Sequence, residues 1–150
     1  RWLMGSLTIN LGLLAIFKYL DFLIESWNWA SLRINGAPEI ETFGDKSGEL
    51  LVLGWGGTYG ALRSAVEKAQ AKGHSVSHVH LRHLNPFPSN LGEILVNYKN
   101  VLVPELNLGQ LDTLIRSKFL IDTIGYNVVA GKPFTSSEIF EKIKLFLKEK

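Results

Sequence analysis

ELLVLGWGGTYGALRSAVEKAQAKG, residues 49–73, carries the pattern that decides the fold. Glu49-Leu50-Leu51-Val52-Leu53 is a short continuous apolar run, suited to a strand covered on both faces. Gly54-Trp55-Gly56-Gly57 breaks the run as a loop. Thr58 stands where a helix cap is needed, and Ala61, Leu62, Ala65, Val66 and Ala69 recur at helical spacing in a segment that extends to Lys72. Gly73 closes that helix. Strand, glycine loop and amphipathic helix in this order form the first half of a crossover between parallel strands.

The cycle continues downstream. Ser75 to Arg82 alternates as a second strand, and Asn85-Pro86-Phe87-Pro88 turns the chain. Ser89 is the expected cap of a helix carrying Leu91, Ile94, Leu95 and Tyr98, which Asn100 ends. Val101-Leu102-Val103 reads as the third strand, Leu108 to Phe119 as the third helix, and Asn127 to Ala130, after Gly125, as a fourth strand. Thr135-Ser136-Ser137-Glu138 is a capping box opening a last helix with Ile139, Ile143, Leu145 and Phe146. Strands alternating with helices predict an α/β fold of three layers, a mostly parallel sheet with helices on both faces.

Sheets of this kind present their functional loops at the carboxyl ends of the strands. The first such loop, residues 54–60, has the glycine density of a dinucleotide fingerprint. Its spacing fails, because Tyr59 stands where the third glycine belongs and Arg82 and His83 follow the second strand in place of an acidic residue. A tight turn that lets strand and helix pack closely is the competing reading. His78 and His80 share one face of the second strand; two imidazoles are too few for a catalytic zinc site, and histidines at a packed surface or interface are the alternative. The third loop is Glu105-Leu106-Asn107-Leu108-Gly109-Gln110. Glu105 and Asn107 are expected to project to one side as the strand gives way to the helix. They either pin the loop or orient a neighbouring subunit or cofactor.

Residues 1–44 have a different character. Leu3 to Phe17 is apolar but interrupted by Ser6, Thr8 and Asn10 and ended by Lys18, short of the roughly 18 or more apolar residues of a membrane span. No small-x-small cleavage site follows to mark a signal peptide. An amphipathic helix packing on another part of a larger protein is the reading adopted, with Phe17, Leu20, Phe22 and Trp27 on its apolar side. The chain opens on Arg1, so a processed product or a piece of something longer is expected. Turn-rich clusters at residues 35–38 and 44–48 mark the boundary to a domain over residues 45–150.

The 150 residues suit one domain with a real core, or one domain plus an appendage, and 46 % hydrophobic with 20 % charged residues is ordinary globular composition. A net charge of +2 gives no electrostatic case for nucleic acid. With no cysteine, the chain has no disulfide, no thiolate metal ligand and no iron–sulfur ligation of its own.

Four ordered motifs, with Gly131-Lys132-Pro133-Phe134 after them, carry a resemblance that spacing alone does not: residues 51–61, His78-Val79-His80-Leu81-Arg82, Leu84-Asn85-Pro86-Phe87-Pro88, and Val103 to Leu111. Over residues 45–150 the chain resembles the carboxy-terminal, transketolase C-terminal-like domain of the alpha subunit in the 2-oxoacid:ferredoxin oxidoreductase family, 2-oxoglutarate synthase in particular. That resemblance implies a cytoplasmic complex that oxidatively decarboxylates 2-oxoglutarate to succinyl-coenzyme A and reduces ferredoxin. It implies thiamine diphosphate, Mg2+, an iron–sulfur cluster and coenzyme A in the complex, none of them bound by this chain alone. The implied partners are the remaining alpha-subunit domains, the beta subunit and, through the complex, ferredoxin. The expected role is a scaffold and subunit-contact domain without catalytic residues. Glu105, Asn107, Gly109, Gln110, Gly54, Gly56, Gly57, His80 and Arg82 are its interface or loop-organising positions. A free-standing nucleotide- or coenzyme-binding module and a membrane-tethered interaction domain are the alternatives.

Overall fold

A computed structural model describes residues 2–35 and 37–148, which divide into two compact units, Arg1–Ala37 and Pro38–Lys150. The first unit is one helix, α1 (Trp2–Asn35). Leu20, Phe22 and Trp27 are exposed on it, as are Ile9, Leu11, Leu14 and Leu23, so its apolar residues run round the helix instead of gathering into the single stripe expected. The side chain of Phe17 lies outside the described residues. Among the described residues, no helix is long and apolar enough to cross a membrane.

The second unit is built on four parallel strands, β1 (Gly48–Trp55), β2 (Val76–Leu81), β3 (Tyr98–Glu105) and β4 (Ile124–Asn127), in the order β2-β1-β3-β4. The helices between and after them are α2 (Tyr59–Gln70), α3 (Leu91–Val96), α4 (Gln110–Phe119) and α5 (Ser136–Lys148). β1 pairs with β2 through Val52 against His78 and Gly54 against His80, and with β3 through Val52 against Leu102. Period-two alternation sorts the core. Leu50, Val52 and Leu102 join Leu62, Ala65 and Val66 of α2 and Ile139, Phe140 and Ile143 of α5 on one face. Leu51, Leu53, Val101 and Val103 join Leu91 and Leu95 of α3 and Leu111 and Ile115 of α4 on the other. Burial of each such Leu or Ile is worth roughly 1.5–3 kcal/mol, so the central strands are held from both sides.

Several local expectations are corrected. Thr58 does not cap α2 with its side chain; a 3-10 turn over Gly56–Thr58 precedes the helix, and the Thr58 hydroxyl donates instead to the Trp55 carbonyl (2.8 Å). Tyr98 belongs to β3 and not to α3, because α3 is only a turn and a half long and the strand starts at once after Asn97. β4 lies earlier than Asn127 to Ala130: its last pair is Asn127 against Glu105, and the Val128 N–H closes the parallel ladder by donating to the Glu105 carbonyl (2.9 Å). Leu145 is exposed, and Phe140 takes the core place given to it. The capping box forms: Glu138 Oε2 accepts the Thr135 N–H (2.8 Å) and Thr135 Oγ1 accepts the Glu138 N–H (3.2 Å).

Residues 38–43 run as a strap onto the domain. Phe43 and His78 exchange both backbone hydrogen bonds at 2.8 Å in an antiparallel bridge, which covers the outer edge of β2. The Asn90 side chain holds Ile40 by its N–H (3.0 Å) and its carbonyl (2.9 Å).

Candidate functional site

The chain passes from β1 outward to β2 and then back across to β3 on the opposite side of β1. The switch point therefore lies between the carboxyl ends of β1 and β3, and the loops at residues 54–58 and 105–110 emerge there.

The loop after β3 is organised by its own polar side chains. Glu105 is the last residue of β3 and is fully buried. Its Oε2 accepts the Leu111 N–H (2.9 Å) and its Oε1 the Asp112 N–H (2.8 Å). Asn107 Oδ1 accepts the N–H of Gly109 (2.7 Å) and of Gln110 (3.3 Å). The first three N–H groups of α4 have no partner inside the helix, and these two side chains supply all of them. A carboxylate at that end also meets the positive pole of the helix, which favours it by about 0.3–1 kcal/mol, and by more when buried. Gly109, at φ 89°, sits where a Cβ would lie 2.6 Å from Asn127 Nδ2. Gln110 contributes its backbone N–H, and its side chain is exposed.

The loop after β1 is shaped by two of its glycines for different reasons. A Cβ on Gly54 would fall 2.3 Å from Leu62 Cδ1, so its absence lets α2 lie close on β1. Gly56 adopts φ 60°, a left-handed conformation that a side chain disfavours. Gly57 has open space about it and a conformation open to any residue.

On β2, His78 and His80 take strand positions on the α2 side that Val76 begins. Their ring centroids are 5.8 Å apart, and Tyr59 packs 5.9 Å from His78 and 5.0 Å from His80. His78 donates Nδ1–H to the Val52 carbonyl (2.9 Å), and His80 Nε2–H points to the Gly56 carbonyl (3.2 Å). Burial pushes the His78 ring down to about 4, against the hydrogen bond to Val52, so it is neutral at pH 7. Burial lowers His80 too, with Arg82 adding repulsion. His78 Nε2 and His80 Nδ1 are buried without a hydrogen-bond partner within the described protein. Both rings line a cleft of about 770 Å³ together with Tyr59, Arg63, Arg82, His83 and the strap. Arg82 itself is exposed. The predicted positions thus separate: Glu105, Asn107, Gly109 and Gln110 form one unit, His80 joins Gly56, and Arg82 lies on the cleft side. Arg63 has no signal in the sequence, and Tyr59 and Asn127 stand there only as a departure from a glycine spacing and as the start of a strand, not as site residues. Asn127 was legible only through the β4 register, where it stands opposite Glu105.

Residues 48–138 match the family model for pyruvate:ferredoxin oxidoreductase core domain II. The chain belongs to the 2-oxoacid:ferredoxin oxidoreductase family. It is 46 % identical over 119 residues to the 2-oxoglutarate oxidoreductase subunit KorA of Mycobacterium tuberculosis, covering 77 % of this chain and 18 % of that protein. It is 26 % identical over 118 residues to the 2-oxoacid:ferredoxin oxidoreductase subunit alpha of Saccharolobus solfataricus, covering 77 % of this chain and 19 % of that protein. A solved 2-oxoglutarate:ferredoxin oxidoreductase from Magnetococcus marinus, with 2-oxoglutarate, coenzyme A and succinyl-CoA bound, superposes with a TM-score of 0.73 at 26 % identity. That likeness covers 86 % of this chain and 23 % of the other. The chain therefore spans less than a quarter of the length of each of these relatives. Membership in this family does not favour a free-standing nucleotide-binding module.

The residues here do not fit the iron–sulfur cluster that the resemblance implies. A cluster needs thiolates, and the sequence has no cysteine. Among the described residues no three His, Cys, Asp or Glu are grouped to hold a metal ion. Glu105, the buried carboxylate at the switch point, spends both oxygens on backbone amides.

Proposed function

We propose that this chain is a scaffold and subunit-contact domain within a 2-oxoacid:ferredoxin oxidoreductase alpha subunit, and that the whole complex converts 2-oxoglutarate to succinyl-CoA with reduction of ferredoxin in the cytoplasm. The single observation that carries the scaffold reading is the use of Glu105: its two oxygens are committed to the Leu111 and Asp112 amides. A general acid or base needs a free oxygen within reach of the proton it moves, and this one is occupied in shaping a turn. Thiamine diphosphate with Mg2+, the iron–sulfur cluster and coenzyme A belong, in this reading, to the other domains and to the beta subunit. The loops at the ends of β1 and β3 face those neighbours, with His80 and Arg82 beside them.

The test grafts residues 38–150 in place of the matched segment of the Mycobacterium tuberculosis KorA protein. Ferredoxin reduction is then measured per mole of assembled complex with 2-oxoglutarate and coenzyme A. Glu105→Gln should lower the yield of assembled complex and leave turnover per complex within a few-fold of the parent graft. A loss of about a hundredfold or more at unchanged assembly would place Glu105 in the chemistry and end the scaffold reading.

A further inference from the structure

The loop after β3 is turned inside out relative to an ordinary surface loop. Its polar side chains, Glu105 and Asn107, face inward onto the α4 amides, while Leu106 is 38 % and Leu108 83 % exposed. One exposed leucine is unremarkable by itself. Here the exposed leucine is held on a loop whose backbone is fixed at both ends, by four side-chain-to-amide bonds to Gly109 and the first three residues of α4 and by the Glu105 carbonyl accepting the Val128 N–H. A side chain displayed on a pre-ordered loop gives up little conformational freedom on docking, which is the condition for an anchoring contact.

We propose that Leu108 is the anchor of the contact surface, inserting into an apolar socket on the part of the alpha polypeptide that lies outside this chain. The inference rests on the subunit-contact reading above and names the partner surface. The occupant follows from proportion: the match covers 18 % of the Mycobacterium tuberculosis protein and 23 % of the Magnetococcus marinus chain, so in these relatives most of the polypeptide lies outside the matched segment. A socket on the same polypeptide meets the loop at high effective concentration, so a small apolar contact suffices to seat it. Glu105 and Asn107 are then positioning residues that aim Leu108 and do not touch the partner.

The chain has no cysteine, so Leu108→Cys installs one addressable thiol. In the free 150-residue chain a maleimide should label it freely. In the KorA graft, with the modified peptide read by mass spectrometry, labelling should slow by about tenfold or more, as for a side chain shielded in a packed contact. Rates within twofold of the free chain would overturn the proposal. Gly57→Cys, on the other switch-point loop where a Cβ meets open space, separates the two levels of inference. Protection at 57 without protection at 108 defeats the Leu108 anchor alone, and no protection at either defeats the contact-domain reading with it. If the full graft does not fold, a KorA protein that receives only the loops at residues 54–58 and 105–110, with the same two thiols, keeps the contact within one polypeptide and gives the same decision.

Discussion

Gly54 and Leu62 stand so close that a Cβ on Gly54 would lie 2.3 Å from Leu62 Cδ1, with Thr58 Oγ1 at 3.2 Å and His80 Nδ1 at 3.3 Å behind it. Leu62 is fully buried, so its side chain would have to shift within the packed core to make room. Gly54→Ala should therefore destabilise the chain by about 1–3 kcal/mol through overpacking. Gly57→Ala, three residues on, meets nothing within 4 Å and should be neutral or raise stability slightly by stiffening the unfolded chain. Urea melts of the two variants check the contrast. Equal effects would mean that the loop glycines act through flexibility and not through the approach of α2 to β1.

Replacing Glu105 by Gln keeps the shape of the side chain and removes one acceptor, leaving either the Leu111 or the Asp112 N–H opposite an amide NH2. An unsatisfied buried donor costs about 1–3 kcal/mol, so a clear fall in melting temperature is expected. Asn107→Ala should cost a similar or smaller amount, because its two partners lie nearer to solvent. A Glu105→Gln chain as stable as the parent would show that the turn does not depend on the carboxylate.

The architecture was legible from the sequence because β1 announces itself: Leu50 to Leu53 has no polar residue, and both faces of that strand are in fact covered. The cap at Thr135 was legible for a local reason, since its two partners are three residues apart. What escaped was set by tertiary contacts. The apolar Val128 and Val129 lie beyond β4, whose bounds are fixed by pairing Ile124 to Asn127 with β3 and not by local propensity. The choice at Glu105 between pinning the loop and orienting a neighbouring subunit or cofactor is open in the sequence, because the pinning bonds go to amides six and seven residues away. The strap likewise depends on Asn90, fifty residues from Ile40.

His78 predicts an acid sensitivity whose sign is fixed. Its folded value of about 4 lies below its ordinary 6.5, so the unfolded chain binds more protons between those limits. The stability that this neutral imidazole contributes is complete above pH 6.5 and is lost as pH falls toward about 4. The interval corresponds to roughly 3 kcal/mol. Denaturant melts from pH 7.5 to pH 4 should show that decline, and His78→Gln should flatten it by most of this amount. An unchanged slope in the variant would assign the acid loss to other groups.

The strap makes a prediction about where the folded domain begins. The compact unit starts at Pro38, ahead of the turn cluster at residues 44–48 that marks the boundary in the sequence. Residues 38–150 should therefore give a cooperative thermal transition without α1. Removing residues 38–44 as well should leave the sheet folded, because both of its helical layers remain, but at lower stability. That deletion strips the Phe43 pairing from the edge of β2, breaks the two Asn90 bonds to Ile40, and uncovers the core against which Phe43 and Ile40 pack. Loss of two partly buried apolar side chains with their hydrogen bonds should lower stability by about 2–5 kcal/mol. Calorimetry of the two truncations decides between them: equal melting temperatures would make the strap a passive linker, and a cooperative transition confined to the longer one would make it part of the folding unit.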